Sequence, residues 1–566
     1  MRSSGRALLA GLALATLCAC TTIPTGGPVR QGIEAGAGSA DQAIRVIAAP
    51  PRPGMSPTEI VHGFLVASAS FADGFATARA YLTAARGSSW QPSAGVQVYA
   101  EDGLQLDASG SRVNAHGQLV ATIGSAGEYL RAAAPKDQVI PFQLVRVDGE
   151  WRISNAPNGL LLSEFDVDRA FRSYDIYFFD PKFEVLVPDP VTVPVFGAAA
   201  ATLLVTSLLA GPTPWLAKAV RSAFPADAHL SVAAVPIVNG VAQVDLSNAV
   251  LAADDRTRQF LAAQLVWTLK VLPEIIGVRI TVGGQPFNVP GAPPVEPTSS
   301  WPALDPAAPG SDNTGVALVG DKPARLILKD TAPIPPAEPP QSPGLIAVAW
   351  DGATVAAVGQ AGLGIGVVGA KPLRMIHEAV TGRPSFDRTG GLWWVSRGRL
   401  RHLAGVAPID PKRLATVTPT TVPIPGLAGA TLESISVARD GVRAVLIVRV
   451  SGNAMLMIGR ITSTSGLLVD GLRPFVAPGL TPLAVAWADP DNLVVLGSLA
   501  GADPSAFTVE VARGGSQPLG APPAPLTVAA LPGQPVLIGA ADGLVYQSVG
   551  GTWTAAALGA NPAYPG

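Results

Sequence analysis

The chain is 566 residues long, 48% hydrophobic and 14% charged, with a formal net charge of −2. A chain of this length suits three or four domains, and its apolar content calls for folded cores rather than disorder. No basic stripe with interleaved aromatics occurs, which argues against nucleic acid as a partner, and two cysteines, Cys18 and Cys20, are too few for a disulfide framework.

At the N-terminus, Arg2 and Arg6 precede an apolar run from Ala7 to Leu17, and the small Ala19 stands directly before Cys20. This is the pattern of a secretory signal peptide over residues 1–19, too short to span a bilayer. A disulfide between Cys18 and Cys20 would be strained by the one-residue spacer, and a zinc site needs more ligands at wider spacing. The stretch "LCAC" resembles a bacterial lipobox, with an aliphatic residue three places before the cysteine and a small one immediately before it. That resemblance implies that Cys20 becomes the first mature residue and carries diacylglycerol on its sulfur and palmitate on its amine. Cys18 stands where the pattern usually has a small or hydroxylated residue, and the alternative reading is an ordinary signal peptide with an incidental cysteine. Residues 20–50, rich in Gly, Ala, Ser and Thr, read as a flexible tether, whose stretch from Thr21 to Ile44 would reach roughly 27 Å. No later apolar run is long enough to predict a membrane span.

Residues 51–165 open with a helix. Ser56 can cap it, Pro57 fits the first helical position, and Glu59 can close a capping box. Ile60, Phe64 and Ala67 would line its buried face, and "GFATARAYLTAA" predicts a second helix. From Val96 onward, "GVQVYA", "LQLDA", "QLVATI", "PFQLVRV" and "EWRIS" alternate as short antiparallel strands. Two helices followed by a curved sheet ending in "VRVDGEWRIS" resemble an NTF2-like α+β domain. His62 and His116 read as helix-surface and loop residues rather than ligands.

Residues 171–290 change rhythm. "SYDIYFFD" reads as a buried strand, "GAAAATLLVTSLLAGP" as a helix closed by Gly211 and Pro212, and "NGVAQVDLS" as an alternating strand. In "DDRTRQFLAAQLVWTLKVLP" the stripe of Leu261, Leu265, Thr268 and Leu272, with Phe260, Gln264, Trp267 and Val271 beside it, is wide enough to predict burial against a sheet. "GVRITVGG" supplies a last strand. Together these segments resemble an α/β GerMN domain, which implies an interaction module of exported bacterial proteins. Asp245 in "VDLS" reads as a turn or cap residue, and Asp254 and Asp255 as acids at a helix start.

Residues 291–311 are rich in proline and read as a semi-rigid linker. From 312 to 566 one unit recurs: an apolar strand, an Asp-containing turn and another apolar strand. Examples are "LIAVAWDGATVAAV", "ISVARDGVRAVLIV" and "VAWADPDNLVVLG", and the turns hold Asp321, Asp351, Asp387, Asp440, Asp489 and Asp542. The spacing suits an all-β propeller of about six blades, five and seven being the neighbouring counts. Asp-Gly is a hairpin signal in its own right, and calcium binding would need several carboxylates on one loop.

Signals for catalysis are weak. His62, His116, His229, His377 and His402 are scattered, without HxH, HExxH or a cysteine partner. No GxSxG or Walker A sequence occurs, and "GLGIGVVG" lacks the helix a dinucleotide site needs. Neither a catalytic residue nor a cofactor or metal ligand is expected.

The lipobox-like N-terminus, "IPTGGPV" after it, "ARAYLTAARGSSWQPSAGVQVY", and "LLAGP…VDLS…AQLVWTL" resemble the LpqB family of actinobacterial lipoproteins over nearly the whole chain. The resemblance implies a non-catalytic protein, lipid-anchored on the extracytoplasmic face of the cell membrane. It also implies a partner, the extracytoplasmic domain of a sensor histidine kinase of the MtrA/MtrB two-component system, and a part in envelope homeostasis and division. The competing readings are a cell-envelope scaffold or glycan-binding lipoprotein and, more remotely, an envelope hydrolase.

Overall fold

The computed structural model describes residues 48–566 except 72, 196–199, 309, 311, 321, 329–332, 334–343, 464–465 and 477–478. Cys20, the 1–19 signal peptide and the tether up to residue 47 lie outside the described residues. Three folded regions follow in chain order within one compact unit.

The first is an α+β half-barrel. Helix α1 (Pro57–Ser68) starts in a capping box, with Ser56 Oγ accepting from Glu59 N at 3.3 Å and Glu59 Oε2 accepting from Ser56 N at 2.7 Å. It buries Ile60, Val61, Phe64 and Ala67, as its spacing requires, and Phe64 meets Trp90 edge-on at 5.3 Å. The expected second helix is broken into α2 (Ala76–Ala80) and α3 (Ala84–Ser89). Between them the chain turns to bury Tyr81 and Leu82, and Ile153 N donates to Tyr81 O while Thr83 N donates to Ile153 O. Thr83 then caps α3.

Strands β1 (Val96–Tyr99), β2 (Gln105–Ser109), β3 (Arg112–Ile123), β4 (Tyr129–Val147), β5 (Glu150–Ile153) and β6 (Leu160–Ser163) form one sheet ordered β5-β4-β3-β1-β6, with β2 paired to β3. "GVQVYA", "LQLDA" and "EWRIS" match the short strands β1, β2 and β5, whereas "QLVATI" and "PFQLVRV" are the ends of the longer β3 and β4, the latter running 19 residues. Its middle was illegible because "RAAAPKDQ" buries no side chain on either face and so shows no apolar alternation. His116 lies on β3, not in a loop.

Helix α4 (Glu164–Ala170) leads into the second region. There β7 (Phe171–Phe179) pairs with β8 (Leu186–Pro194), α5 (Ala200–Ala210) ends at Gly211 with φ +96°, and β9 (Ile237–Val238) precedes β10 (Val241–Leu246). Helix α6 (Asp255–Leu269) is N-capped by Asp254, which accepts from Thr257 N at 2.8 Å. Every residue from Leu261 to Leu269 is buried, because α6 packs on α5, β7 and β11 (Gly277–Val282) together. Its central Gln264 is satisfied by the backbone, donating to Tyr177 O and accepting from Ala223 N, both at 2.7 Å. β10 and β11 run parallel, and β11 also pairs with β12 (Gln285–Pro286) and β13 (Glu296–Pro297). The proline-rich 291–311 stretch is therefore not a free strap. Its β13 extends this sheet, and buried Glu296 accepts from Trp301 Nε1 at 2.7 Å.

The third region is propeller-like and β-rich. Its four-stranded antiparallel sheets run from Ile346–Val348 out to Arg374–Ile376, from Val380–Phe386 to Thr420–Val422, from Ala430–Val437 to Leu468–Pro474, from Leu480–Trp487 to Ser516–Gly520, and from Pro525–Ala529 to Thr552–Leu558. A further sheet joins Ala560–Ala563 to Val316–Val319 and Lys322–Arg325. The first-named strand of each sheet packs against that of the next, and Ala560–Ala563 touches both Pro525–Ala529 and Ile346–Val348, which closes the circle.

Candidate functional site

The histidines are dispersed. His62 is exposed on α1, His116 lies 3.2 Å from Asp107, and His229 and His377 rest their Nδ1 atoms on the Asp227 and Ala361 carbonyls. His402 packs 4.4 Å from the Trp393 ring and 3.5 Å from Asp387 Oδ2. Among the described residues no three His, Cys, Asp or Glu side chains gather as a metal site. "GLGIGVVG" contains the strand Gly362–Val367, flanked by antiparallel partners. Asp245 Oδ1 accepts from Thr281 Oγ1 at 2.7 Å and Gly284 N at 2.9 Å, so it ties a turn to the parallel strands rather than capping a helix.

The repeated aspartates brace turns. Asp351, Asp387, Asp440 and Asp489 sit between the first and second strands of their sheets. Each carboxylate accepts backbone N–H bonds from the turn it begins, as Asp440 does from Val442 at 2.8 Å and Arg443 at 2.9 Å. This is the Asx-turn role of aspartate. Asp542 is out of phase, between the second and third strands of its sheet, and Asp321 lies outside the described residues. Asp440 additionally holds Arg443 at 2.8 Å in a fully buried pair, and Arg443 Nη2 donates to Pro490 O of the next sheet.

The ring of first strands encloses a channel of about 290 Å3, which has two arginines, Arg383 and Arg439, in its wall. Sequence reasoning missed both, since Arg383 belongs to no repeat unit, Arg439 stands in one only as the neighbour of Asp440, and only ring closure turns them inward.

A second set of polar residues stitches the regions together. Trp215, in the loop after α5, donates from Nε1 to Gly471 O at 2.6 Å, and the Arg473 guanidinium lies 4.3 Å from the centre of its ring. Arg473 also pairs with Glu128 and Arg513 with Asp168, joining the propeller-like region to the half-barrel and α4. Thr192 N donates to Gly127 O at 2.7 Å between β8 and the half-barrel. Asp189 on β8 is buried and accepts from Thr213 N at 2.7 Å and Thr213 Oγ1 at 2.8 Å. Burial raises its pKa to about 6 although these bonds pull it down. Asp175 on β7 lines a cavity of about 120 Å3 with Arg443, Asp491 and Glu510. Burial, then the neighbouring Asp491 carboxylate, pushes Asp175 well above the usual carboxylate range, against the pull of Arg443. The apolar core is continuous across this seam, running from Phe178 and Trp267 to Val445, Trp487 and Phe507.

Residues 50–168 match the model of the lipoprotein LpqB N-terminal domain, 175–288 that of a sporulation and spore germination domain, and 321–565 that of the lipoprotein LpqB beta-propeller domain. Lipoprotein LpqB of Thermobifida fusca is 31% identical, with 97% of each chain covered. The chain belongs to the LpqB lipoprotein family. The LpqB of Streptomyces coelicolor is 29% identical over 97% of this chain and 96% of that one, and the LpqB of Mycolicibacterium smegmatis 27% over 81% and 82%. Among solved structures, the first GerMN domain of the sporulation protein GerM from Bacillus subtilis is 21% identical, covering 22% of this chain and 92% of that one at a TM-score of 0.17. A putative TolB from Agrobacterium tumefaciens is 14% identical over 33% and 64%, at a TM-score of 0.25. Like its family, the chain combines an LpqB N-terminal domain, a GerMN domain and a β-propeller domain. No helix among the described residues is long and apolar enough to cross a membrane.

Proposed function

We propose that this LpqB-family chain is held on the extracytoplasmic face of the cell membrane by lipid on Cys20. There it binds the outer domain of a sensor histidine kinase of the MtrA/MtrB type and modulates its signalling in envelope homeostasis and division. The observation that supports this reading is the end-to-end match to LpqB lipoproteins, combined with the lipobox-like "LCAC". The reading divides the chain into a signal peptide (1–19), a lipidated tether (20–50), an NTF2-like domain (51–165), a GerMN-like domain (171–290), a linker (291–311) and a propeller of about six blades (312–566). It assigns the chain no catalysis.

The physics of anchoring suits such a role. Each buried methylene contributes about 0.8 kcal/mol, so two or three acyl chains hold firmly where one would exchange. Confinement to the kinase's own membrane raises the effective concentration of a weak partner. Binding then shifts the kinase only in so far as its affinity differs between the kinase's two states.

Calorimetric titration of residues 21–566 against the kinase's extracytoplasmic domain tests the reading. Saturable heat at micromolar concentrations is expected. No binding at high micromolar concentration would overturn it and favour an envelope scaffold or glycan-binding protein.

A further inference from the structure

Among the described residues the channel lining includes two basic side chains, Arg383 and Arg439, and no acidic side chain, with the terminal Gly566 also in its wall. Arg383, on the first strand Val380–Phe386, reaches across the ring to donate to Val528 O and Pro562 O, both at 2.8 Å. Those carbonyls satisfy N–H groups without cancelling the charge. Burial draws the pKa of Arg383 down to about 10, which still leaves it cationic at neutral pH.

Arg439 stands where the channel meets a second cavity of about 230 Å3, lined by Ala308, Gly310, Trp350, Asp387, Arg388 and Gly566 together with Arg439 itself. Its Nη1 is enclosed and has no hydrogen-bond partner among the described residues. Burial first, and the Arg388 guanidinium second, bring its pKa down to about 10, with Asp305 opposing. Asp387 in the same wall is already committed, accepting from Thr389, Gly391 and Trp393. An enclosed guanidinium N–H without an acceptor, next to a second guanidinium, is a costly arrangement that an oxyanion would relieve. Guanidinium groups suit phosphate and carboxylate through paired N–H donors. Trp350, 36% exposed, adds an aromatic surface to the cavity. An aromatic wall with a few convergent polar groups is the usual make-up of a small-molecule site.

We propose that this mouth of the channel binds a small anionic saccharide, its phosphate or carboxylate group received by Arg388 and Arg439 and its ring laid against Trp350. The site is independent of kinase binding and stands or falls separately from it.

The test uses residues 21–566 at constant ionic strength in chloride, titrated with glucose 6-phosphate, glucuronate and neutral glucose, followed by calorimetry and tryptophan fluorescence. Saturable binding of one or both anionic sugars, with glucose silent, is expected, and the preferred sugar assigns phosphate or carboxylate as the group read. Arg388→Gln and Arg439→Gln should each weaken that binding about tenfold, while Arg449→Gln, at an exposed pair with Glu433, should leave it unchanged. Phosphate can also stabilise proteins non-specifically by exclusion from their surface, so saturation and the loss in the arginine variants are both required. Should Arg439→Gln fail to fold, Arg388→Gln and competition by inorganic phosphate against the bound sugar decide the matter. Absence of saturable binding, or equal binding by the arginine variants, overturns the proposal and leaves the arginines balanced from within the chain, where Asp305 already opposes the fall in the Arg439 pKa.

Discussion

Asp189 illustrates what one buried carboxylate does at a seam. It is 1% exposed, and its two bonds from Thr213 fasten β8 to the loop after α5. Its pKa rises from 3.8 to about 6 because burial outweighs those bonds. A carboxyl that holds its proton more tightly folded than unfolded favours the folded state most at low pH and loses that contribution as pH climbs to about 6. The wild type should therefore lose ground to Asp189→Asn between pH 4 and pH 7, by about 3 kcal/mol for a shift of this size. Melting curves of both proteins across that range check this, and a difference that stays constant with pH would mean that Asp189 titrates as an ordinary carboxyl. Nothing in "VPDPV" announced this residue, since Pro188 and Pro190 make the segment look like a loop and Thr213 is distant in sequence.

At the level of elements, legibility followed periodicity and capping. Helix α1 with its Ser56 and Glu59 box, α6 with Asp254 at its start, and β10 with its alternating burial stand where the sequence places them, because each carries its own start signal and one clear period. β8 was not read from the sequence, and its prolines are tolerated because β7 is its one strand partner among the described residues and no central ladder is interrupted. The break between α2 and α3 was invisible because it is made by β5, remote in sequence. Trp215 is the extreme case, a residue outside any helix or strand that joins two regions through Gly471 and Arg473. Trp215→Ala should destabilise the chain by about 3–5 kcal/mol, in the range of large aromatic truncations. Hydrogen exchange should rise in the loop after α5 and in the strand Leu468–Pro474 while α1 keeps its protection. A uniform rise across all three would show that the tryptophan supports the fold generally rather than this seam.

On the scale of the whole molecule, the aspartate repeat announced a succession of similar sheets but misjudged their phase. Asp351, Asp387, Asp440 and Asp489 mark equivalent turns, whereas Asp542 marks a different one. Closure of the ring was equally beyond the repeat. The sheet that completes the circle borrows its first strand, Ala560–Ala563, from the end of the region and its other two, Val316–Val319 and Lys322–Arg325, from the beginning. No local pattern can announce a pairing of that sequence separation. The inward aim of Arg383 follows from the same closure, because one of its two acceptors, Pro562 O, lies on the closing strand.

The closing strand is therefore a lock whose removal has a definite consequence. A chain ending at residue 558 would leave Val316–Val319 without its inner partner and expose the flanks of Ile346–Val348 and Pro525–Ala529, which Ala560–Ala563 covers. Open strand edges invite pairing with other chains, and the long loop that closure holds would regain its freedom. The truncated protein should lose the cooperative melt of the propeller-like region and aggregate on heating. The half-barrel, whose core of Ile60, Phe64, Trp90 and Phe142 is separate, should keep its amide protection. A synthetic peptide covering 559–566, added in excess, should restore part of the lost transition by refilling the vacated position. If the truncated chain instead melts as sharply and at the same temperature as the full one, the ring is held by contacts between neighbouring sheets alone and the closing strand is dispensable.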